Sequence, residues 1–254
     1  MKWLFWDLGD TILNEDPLRF AFYRFLYDAL SEEGYPGTFR DLLTEREQLI
    51  RNGVYATHYA IARKRLSDTG YTQWAELVKR FGEGEGRQLV IPVAGIIDLL
   101  RNLSNDWRMG IIADQPESAL DTLDRFGIRD LFSVTALSAT VGVNKPDRGI
   151  FEHALSEAKC PANYAVMIGN RYDMDIAPAK RLGMRTVFLY LSPREKGWMP
   201  SDSNARDYVG SLTRVPNWPT ELVPSDSRHR STALATSCDG LHRALRDVKR
   251  TSIR

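Results

Sequence analysis

The chain has 254 residues, 43% of them hydrophobic and 26% charged, with a formal net charge of +1. That length is ample for a sizeable core, long for one domain and short for two full ones, so one main core with a smaller appended unit is expected. The near-neutral charge offers no electrostatic case for nucleic acid or a membrane surface, and the longest apolar stretch, "LVIPVAGIIDLL", is broken by Pro92, Gly95 and Asp98, short of the roughly 18 residues a membrane helix needs.

The first element is read from "FWDLGDT", an apolar run that stops at Asp7. A buried strand there delivers a carboxylate to the edge of a sheet, and Gly9, Asp10 and Thr11 turn the chain behind it. Asp7 also comes too early to leave room for a secretory apolar segment. "DPLRFAFYRFLYDALSEEG" then predicts a helix with Asp16 as N-cap, Pro17 at its first position and Gly34 just past its end. Leu18, Phe22, Phe25, Leu26, Ala29 and Leu30 follow the helical period. "TFRDLLTEREQLI" and "YATHYAIARKRL" continue the helical pattern, so residues 15–87 form a helical insertion.

From Val90 the pattern alternates: a helix near 94–103, the strand "RMGIIA", the helix "PESALDTLDRFG", a short strand near 133–137 and the helix "RGIFEHALSEA". The strand "YAVMIG", the helix "DIAPAKRLG" and the strand "RTVFLYL" follow. Such alternation implies right-handed crossovers and a parallel sheet covered on both faces, an α/β Rossmann-like doubly wound fold. Residues 1–14 and 88–224 make this core, to which "SDSNARDYVGSLTRVPNWPTEL" adds a short strand and a helical turn. The segment 225–254, rich in Ser, Thr and Arg, is expected to be a loosely attached, flexible tail. Cys160 and Cys238 lack metal-type spacing and read as free thiols, which points to a cytoplasmic protein.

In a parallel sheet the ligand sits beyond the carboxyl ends of the strands. Asp7, Ala113 with Asp114, Lys145 and the cluster "GNRYDMD" at 169–175 all fall at or just after strand ends on that edge. A nucleophilic carboxylate, a lysine that neutralises charge and an acid cluster that holds a hard divalent cation through oxygen are what phosphoryl transfer through an aspartyl intermediate requires.

"DLGDT" at 7–11, "IIADQ" at 111–115, "NKPD" at 144–147 and "GNRYDMDI" at 169–176, in this order, resemble the four motifs of the haloacid dehalogenase (HAD) superfamily over about residues 3 to 215. The position of the helical insertion resembles that superfamily's subclass I cap. The resemblance implies a HAD core with an α-helical cap domain, Asp7 as nucleophile, and Lys145 steadying it and the phosphoryl group. It further implies Mg²⁺ held by Asp7, the Gly9 carbonyl and Asp175, with Asp173 supplying charge beside Asn170. Ala113 and Asp114 occupy the substrate-binding second motif. The function implied is a Mg²⁺-dependent phosphohydrolase acting on a small phosphorylated metabolite, with no nucleic acid and no membrane as partner.

Three positions depart from the family pattern. Glycine stands at position 9, where phosphatases of this type carry the aspartate that protonates the leaving group; Ala113 replaces a phosphate-binding hydroxyl; and Asn170 replaces an acid. The loss at position 9 predicts a preference for leaving groups that depart as stable anions. The departures keep two alternatives open: dehalogenase- or phosphonatase-like chemistry, and a catalytically weakened binding protein. Asp10 is read as a turn residue rather than a displaced acid, and Thr11 as bonding backbone in that turn. His58 and His153 are read as ordinary helix-face residues, and Phe20, Phe22, Tyr23, Phe25 and Tyr27 mainly as packing within the cap.

Overall fold

A computed structural model describes residues 2–218 and 230–250. In chain order it has β1 (Trp3–Trp6), β2 (Leu13–Asn14), α1 (Asp16–Glu32), α2 (Phe39–Arg51), α3 (Thr57–Arg65) and α4 (Asp68–Glu83). Next come β3 (Ile91–Pro92), α5 (Ile96–Leu103), β4 (Arg108–Ala113), α6 (Ala119–Arg125), β5 (Phe132–Leu137), α7 (Ser138–Val141) and α8 (Arg148–Glu157). The chain continues through β6 (Ala165–Gly169), α9 (Ala177–Arg181), β7 (Arg185–Leu189), α10 (Pro193–Lys196), α11 (Ser203–Arg214), β8 (Ala233–Ala235) and α12 (Cys238–Arg250).

One compact unit comprises the described residues within 1–14, 92–197 and 220–254. Its sheet has six strands in the order β5-β4-β1-β6-β7-β8, all parallel. Every residue of β1 and β6 is buried, as expected for central strands of a sheet covered on both faces. Trp3 stacks on Phe5 with ring centroids 5.6 Å apart, and both join Ile150, Phe151 and Met167 in a core beneath α8. The carboxyl ends of β1, β4, β5 and β6 therefore lie along one edge.

The other unit comprises residues 15–91 and 198–219. Its α1 begins one residue earlier relative to its cap than the sequence suggested: Glu15 is the N-cap and Asp16 the first helical residue, followed by Pro17. Arg19 holds both acids, at 2.7 Å to Glu15 and 3.4 Å to Asp16. Tyr23, Leu26 and Leu30 of α1 pack with Leu42, Leu43, Ile61, Trp74 and Val78, and Phe20, Phe22, Phe25 and Tyr27 flank that core.

Two expectations are corrected. Among the described residues, 198–218 add no strand to the sheet; α11 packs on α2 instead, with Tyr208 and Leu212 in the helical core. The reason is Arg46 of α2, fully buried, which donates to the Ser211 hydroxyl at 2.9 Å, the Val215 carbonyl at 2.8 Å and Asn217 Oδ1 at 2.7 Å. A buried guanidinium requires acceptors of this kind, and the later segment supplies all three. The second correction concerns the tail. Residues 233–235 form the edge strand β8 against β7, with Leu189 opposite Ala235, and Leu241, Ala244, Leu245 and Val248 of α12 are buried. The expected core–tail boundary at 224/225 lies outside the described residues.

Candidate active site

Asp7 follows the last residue of β1, and its backbone N–H donates to the Ile168 carbonyl of β6 at 2.9 Å. The carboxylate is thereby fixed where β1 leaves the sheet. Lys145, in the loop between α7 and α8, reaches the same point and is 5% exposed. Its Nζ donates to Asp7 Oδ1 at 2.6 Å and to Asp175 Oδ1 at 2.5 Å. One ammonium thus bridges two carboxylates that lie far apart in the sequence.

Asp175 lies in a π-helical turn, Tyr172–Ile176, between β6 and α9. Such a turn widens the backbone and is frequent at functional sites. Asp175 Oδ2 accepts from the Arg171 N–H at 2.9 Å, and its own N–H donates to the Arg171 carbonyl at 2.8 Å. The close approach depends on Gly169. A Cβ there would lie 2.4 Å from Asp175 Cγ and 2.4 Å from Oδ2, well inside contact distance. Gly169→Ala is therefore expected to push the carboxylate away from Lys145. Overpacking of this kind costs about 1–3 kcal/mol of stability, and displacing the carboxylate from Lys145 should also lower kcat/KM. Steady-state kinetics beside a thermal midpoint check this; wild-type kcat/KM would show that Asp175 need not sit there.

Charge and burial compete in this group. Burial opposes the Lys145 charge, but the Asp175 and Asp7 carboxylates outweigh it and hold the ammonium above the usual lysine range. Burial raises Asp175 above the usual carboxylate range, with Lys145 opposing and Asp7 reinforcing the shift.

Ala113 is buried at the end of β4. Asp114, half-buried, accepts the Lys145 backbone N–H on Oδ1 at 2.8 Å and so holds the lysine loop to the end of β4. Burial raises its carboxyl above the usual range, while the Lys145 N–H and charge oppose and Asp7 adds to the shift. Asp173 is not drawn into the group: it is half exposed and paired with Arg171, through Nε at 3.1 Å and Nη2 at 2.5 Å. Thr11 differs from its reading as a backbone-bonded turn residue, since its hydroxyl donates to Asp7 Oδ2 at 3.2 Å. Asp10 adopts a left-handed backbone, φ 57°, and pairs with Lys196 Nζ at 3.0 Å, both side chains being buried.

Sequence reasoning did not foresee Lys196. Nothing in "SPREKG" signals a buried lysine, whereas Thr11, four residues after Asp7, could have been matched to it by spacing. In the helical unit His58 sits among Phe22, Tyr23, Tyr59 and Trp74, where burial, then the Arg19 charge, lower its pKa to about 4. His153 faces Glu157 on an exposed turn of α8. Cys160 and Cys238 are free thiols. Among the described residues no helix is long and apolar enough to cross a membrane.

Residues 4–189 match the haloacid dehalogenase-like hydrolase family, and the chain belongs to that family. It is 28% identical over 193 residues to the glyceraldehyde 3-phosphate phosphatase of Pyrococcus abyssi, covering 74% of this chain and 81% of that one. It is 27% identical over 212 residues to the pyrimidine 5'-nucleotidase YjjG of Escherichia coli, covering 76% and 88%. The crystal structure of a HAD phosphatase from Thermococcus onnurineus shares the fold, with TM-score 0.58 at 20% identity over 96% of this chain and 98% of that one. These similarities support a phosphohydrolase.

Proposed function

We propose that the protein hydrolyses small phosphorylated metabolites through an aspartyl phosphate on Asp7. The observation that carries this reading is the Lys145 ammonium held between Asp7 Oδ1 and Asp175 Oδ1 at the carboxyl edge of the sheet. A carboxylate is a weak nucleophile toward a phosphoryl group because both are anionic. Lys145 lowers that repulsion, and the Thr11 hydroxyl on Oδ2 leaves Asp7 one defined orientation from which to attack. Asp7 Oδ1 then forms the new bond to phosphorus as the ester bond breaks, and water later cleaves the acyl phosphate.

The donor set fits Mg²⁺. This cation takes oxygen ligands only and is usually held by one or two carboxylates, completing its shell with waters and substrate phosphate. Asp7, the Gly9 carbonyl and Asp175 would hold it, and when bound it supplies charge neutralisation at the phosphoryl oxygens. Asp173, engaged by Arg171, contributes at most from outside that set.

The experiment is an ester-phosphatase assay titrated with Mg²⁺ on two variants. Asp175→Ala is expected to raise the Mg²⁺ concentration needed for half-maximal rate by about 10-fold to 100-fold, a loss on the scale of a group that tunes metal affinity. Asp173→Ala should move it little. Equal shifts would show that the ligand assignment is misplaced, and metal-independent halide release from a 2-haloacid would favour dehalogenase chemistry instead.

A further inference from the structure

We propose that Asp114 is the proton donor and acceptor of this reaction, taking the place of the side chain that Gly9 lacks. The inference rests on the aspartyl-phosphate reading above and names the group that completes it. Cleaving an alkyl phosphate requires a proton for the departing oxygen, and hydrolysing the acyl phosphate requires a base for the attacking water.

The other carboxyls near the strand ends are committed elsewhere. Asp7 is the nucleophile. Asp175 has both oxygens engaged, by Lys145 Nζ and by the Arg171 N–H. Asp173 is half exposed and paired with Arg171. Asp10 is buried in its pair with Lys196, on a left-handed turn. Asp114 keeps one oxygen anchored, Oδ1 on the Lys145 N–H, and no described residue hydrogen-bonds its Oδ2.

Neighbouring strand ends and a shared lysine bring that carboxyl to the site. β1 and β4 pair one to one from Trp3 opposite Arg108 to Trp6 opposite Ile111, so Asp7, just past β1, and Asp114, just past Ala113 of β4, leave the sheet from adjacent strands. Lys145 joins the two, its N–H donating to Asp114 Oδ1 at 2.8 Å and its Nζ to Asp7 Oδ1 at 2.6 Å. The groups whose charge it senses are Lys145, Asp7 and Arg171. Burial favours its protonated form, as a donor to the leaving group requires.

The steps balance. Asp7 Oδ1 bonds to phosphorus, the ester P–O bond breaks with its electron pair going to the leaving oxygen, and the Asp114 proton converts that oxygen to an alcohol. Water then attacks phosphorus, Asp114 carboxylate takes its proton, and the pair of the breaking P–O bond returns to Asp7. Inorganic phosphate leaves, and Asp114 is protonated again.

The test compares wild type and Asp114→Asn on alkyl phosphates and on a series of aryl phosphates of graded leaving-group pKa, with phosphorylation read as the burst of phenolate. Asparagine keeps an oxygen for the Lys145 N–H, so the lysine loop stays anchored. Wild type should show a shallow dependence of the burst rate on leaving-group pKa. Asp114→Asn should make it steep, lower alkyl-phosphate kcat/KM by about 10² to 10⁴-fold and reduce the nitrophenyl phosphate burst far less, since general acid catalysis has that size. A steep dependence in wild type overturns the proposal without any variant. So does an Asp114→Asn variant that loses alkyl and aryl substrates equally, or loses neither. In those cases phosphate release that Asp7→Asn abolishes leaves the aspartyl reading standing; no release from any ester by wild type overturns both.

Discussion

Asp7→Asn is expected to fold as the wild type does and to lose turnover by about 10⁴ to 10⁶-fold, the scale of removing one member of a catalytic set that acts as a unit. The substitution is isosteric. The amide oxygen can still accept from Lys145 Nζ, which lies 2.6 Å from Oδ1, and the new NH₂ can donate to the Thr11 hydroxyl, now 3.2 Å from Oδ2. What disappears is the anionic oxygen that attacks phosphorus in the proposed reaction. Because Asp7 also shares the Lys145 charge with Asp175, the variant relieves one like-charge contact, so its thermal midpoint should not fall. Wild-type turnover by a folded Asp7→Asn variant would mean that another group attacks.

Lys145→Met should have the largest effect on stability. Methionine fills similar volume, but the two carboxylates lose the ammonium between them, in a site where Lys145 is 5% and Asp175 1% exposed. Removing one partner of a buried ion pair costs about 3–5 kcal/mol, because the remaining charge has neither water nor a counter-ion. The cost should depend on pH with a definite sign. Asp175 in the folded protein binds its proton more tightly than an ordinary carboxyl. A group with a raised folded-state value contributes most below the ordinary carboxylate range, and that contribution is lost as pH rises through the folded value. In wild type the Lys145 charge, itself held above the usual lysine range, opposes the shift throughout that window. Without it, Asp175 is raised further, so the variant should be only mildly destabilised near about pH 5 and severely near about pH 8. Denaturant midpoints at the two pH values check this, and a pH-independent difference would show that packing, not charge, accounts for the loss.

The strand ends were the most legible part of the sequence. Each site-bearing strand is a short apolar run that stops at a polar residue, and period and punctuation locate "FWD", "IIAD" and "MIGN" without knowledge of the partners. Once the strands are parallel, their ends must converge, which is why Asp7, Lys145 and Asp175 could be expected in one place. Finer contacts depend on turn geometry that residue type does not encode. Asp173 and Asp175 are both acids on one short turn; the turn widens into a π-helical bulge that sends Asp175 inward and leaves Asp173 to Arg171. Thr11 and Lys196 contact Asp7 and Asp10 across turns that no hydrophobic period reports.

The stretch after Gly197 was the least legible, for a different reason. The stripe Leu241, Ala244, Leu245 and Val248 has helical spacing, but β8 has only three residues, too few for alternation to register. Its membership in the sheet comes from pairing with Leu189 and its neighbours. Likewise Ala205, Tyr208 and Leu212 mark one face of α11, yet only the buried Arg46 decides that this face meets α2.

Attack by Asp7 predicts a covalent bond between phosphorus and its carboxylate. Wild-type enzyme mixed rapidly with an aryl phosphate and Mg²⁺, quenched in acid within one turnover and digested, should yield a phosphorylated peptide containing Asp7. Hydroxylamine should remove the label, and the Asp7→Asn protein should show none. Phosphate release with no phosphorylated peptide at any mixing time, or with the label on another residue, would contradict the account.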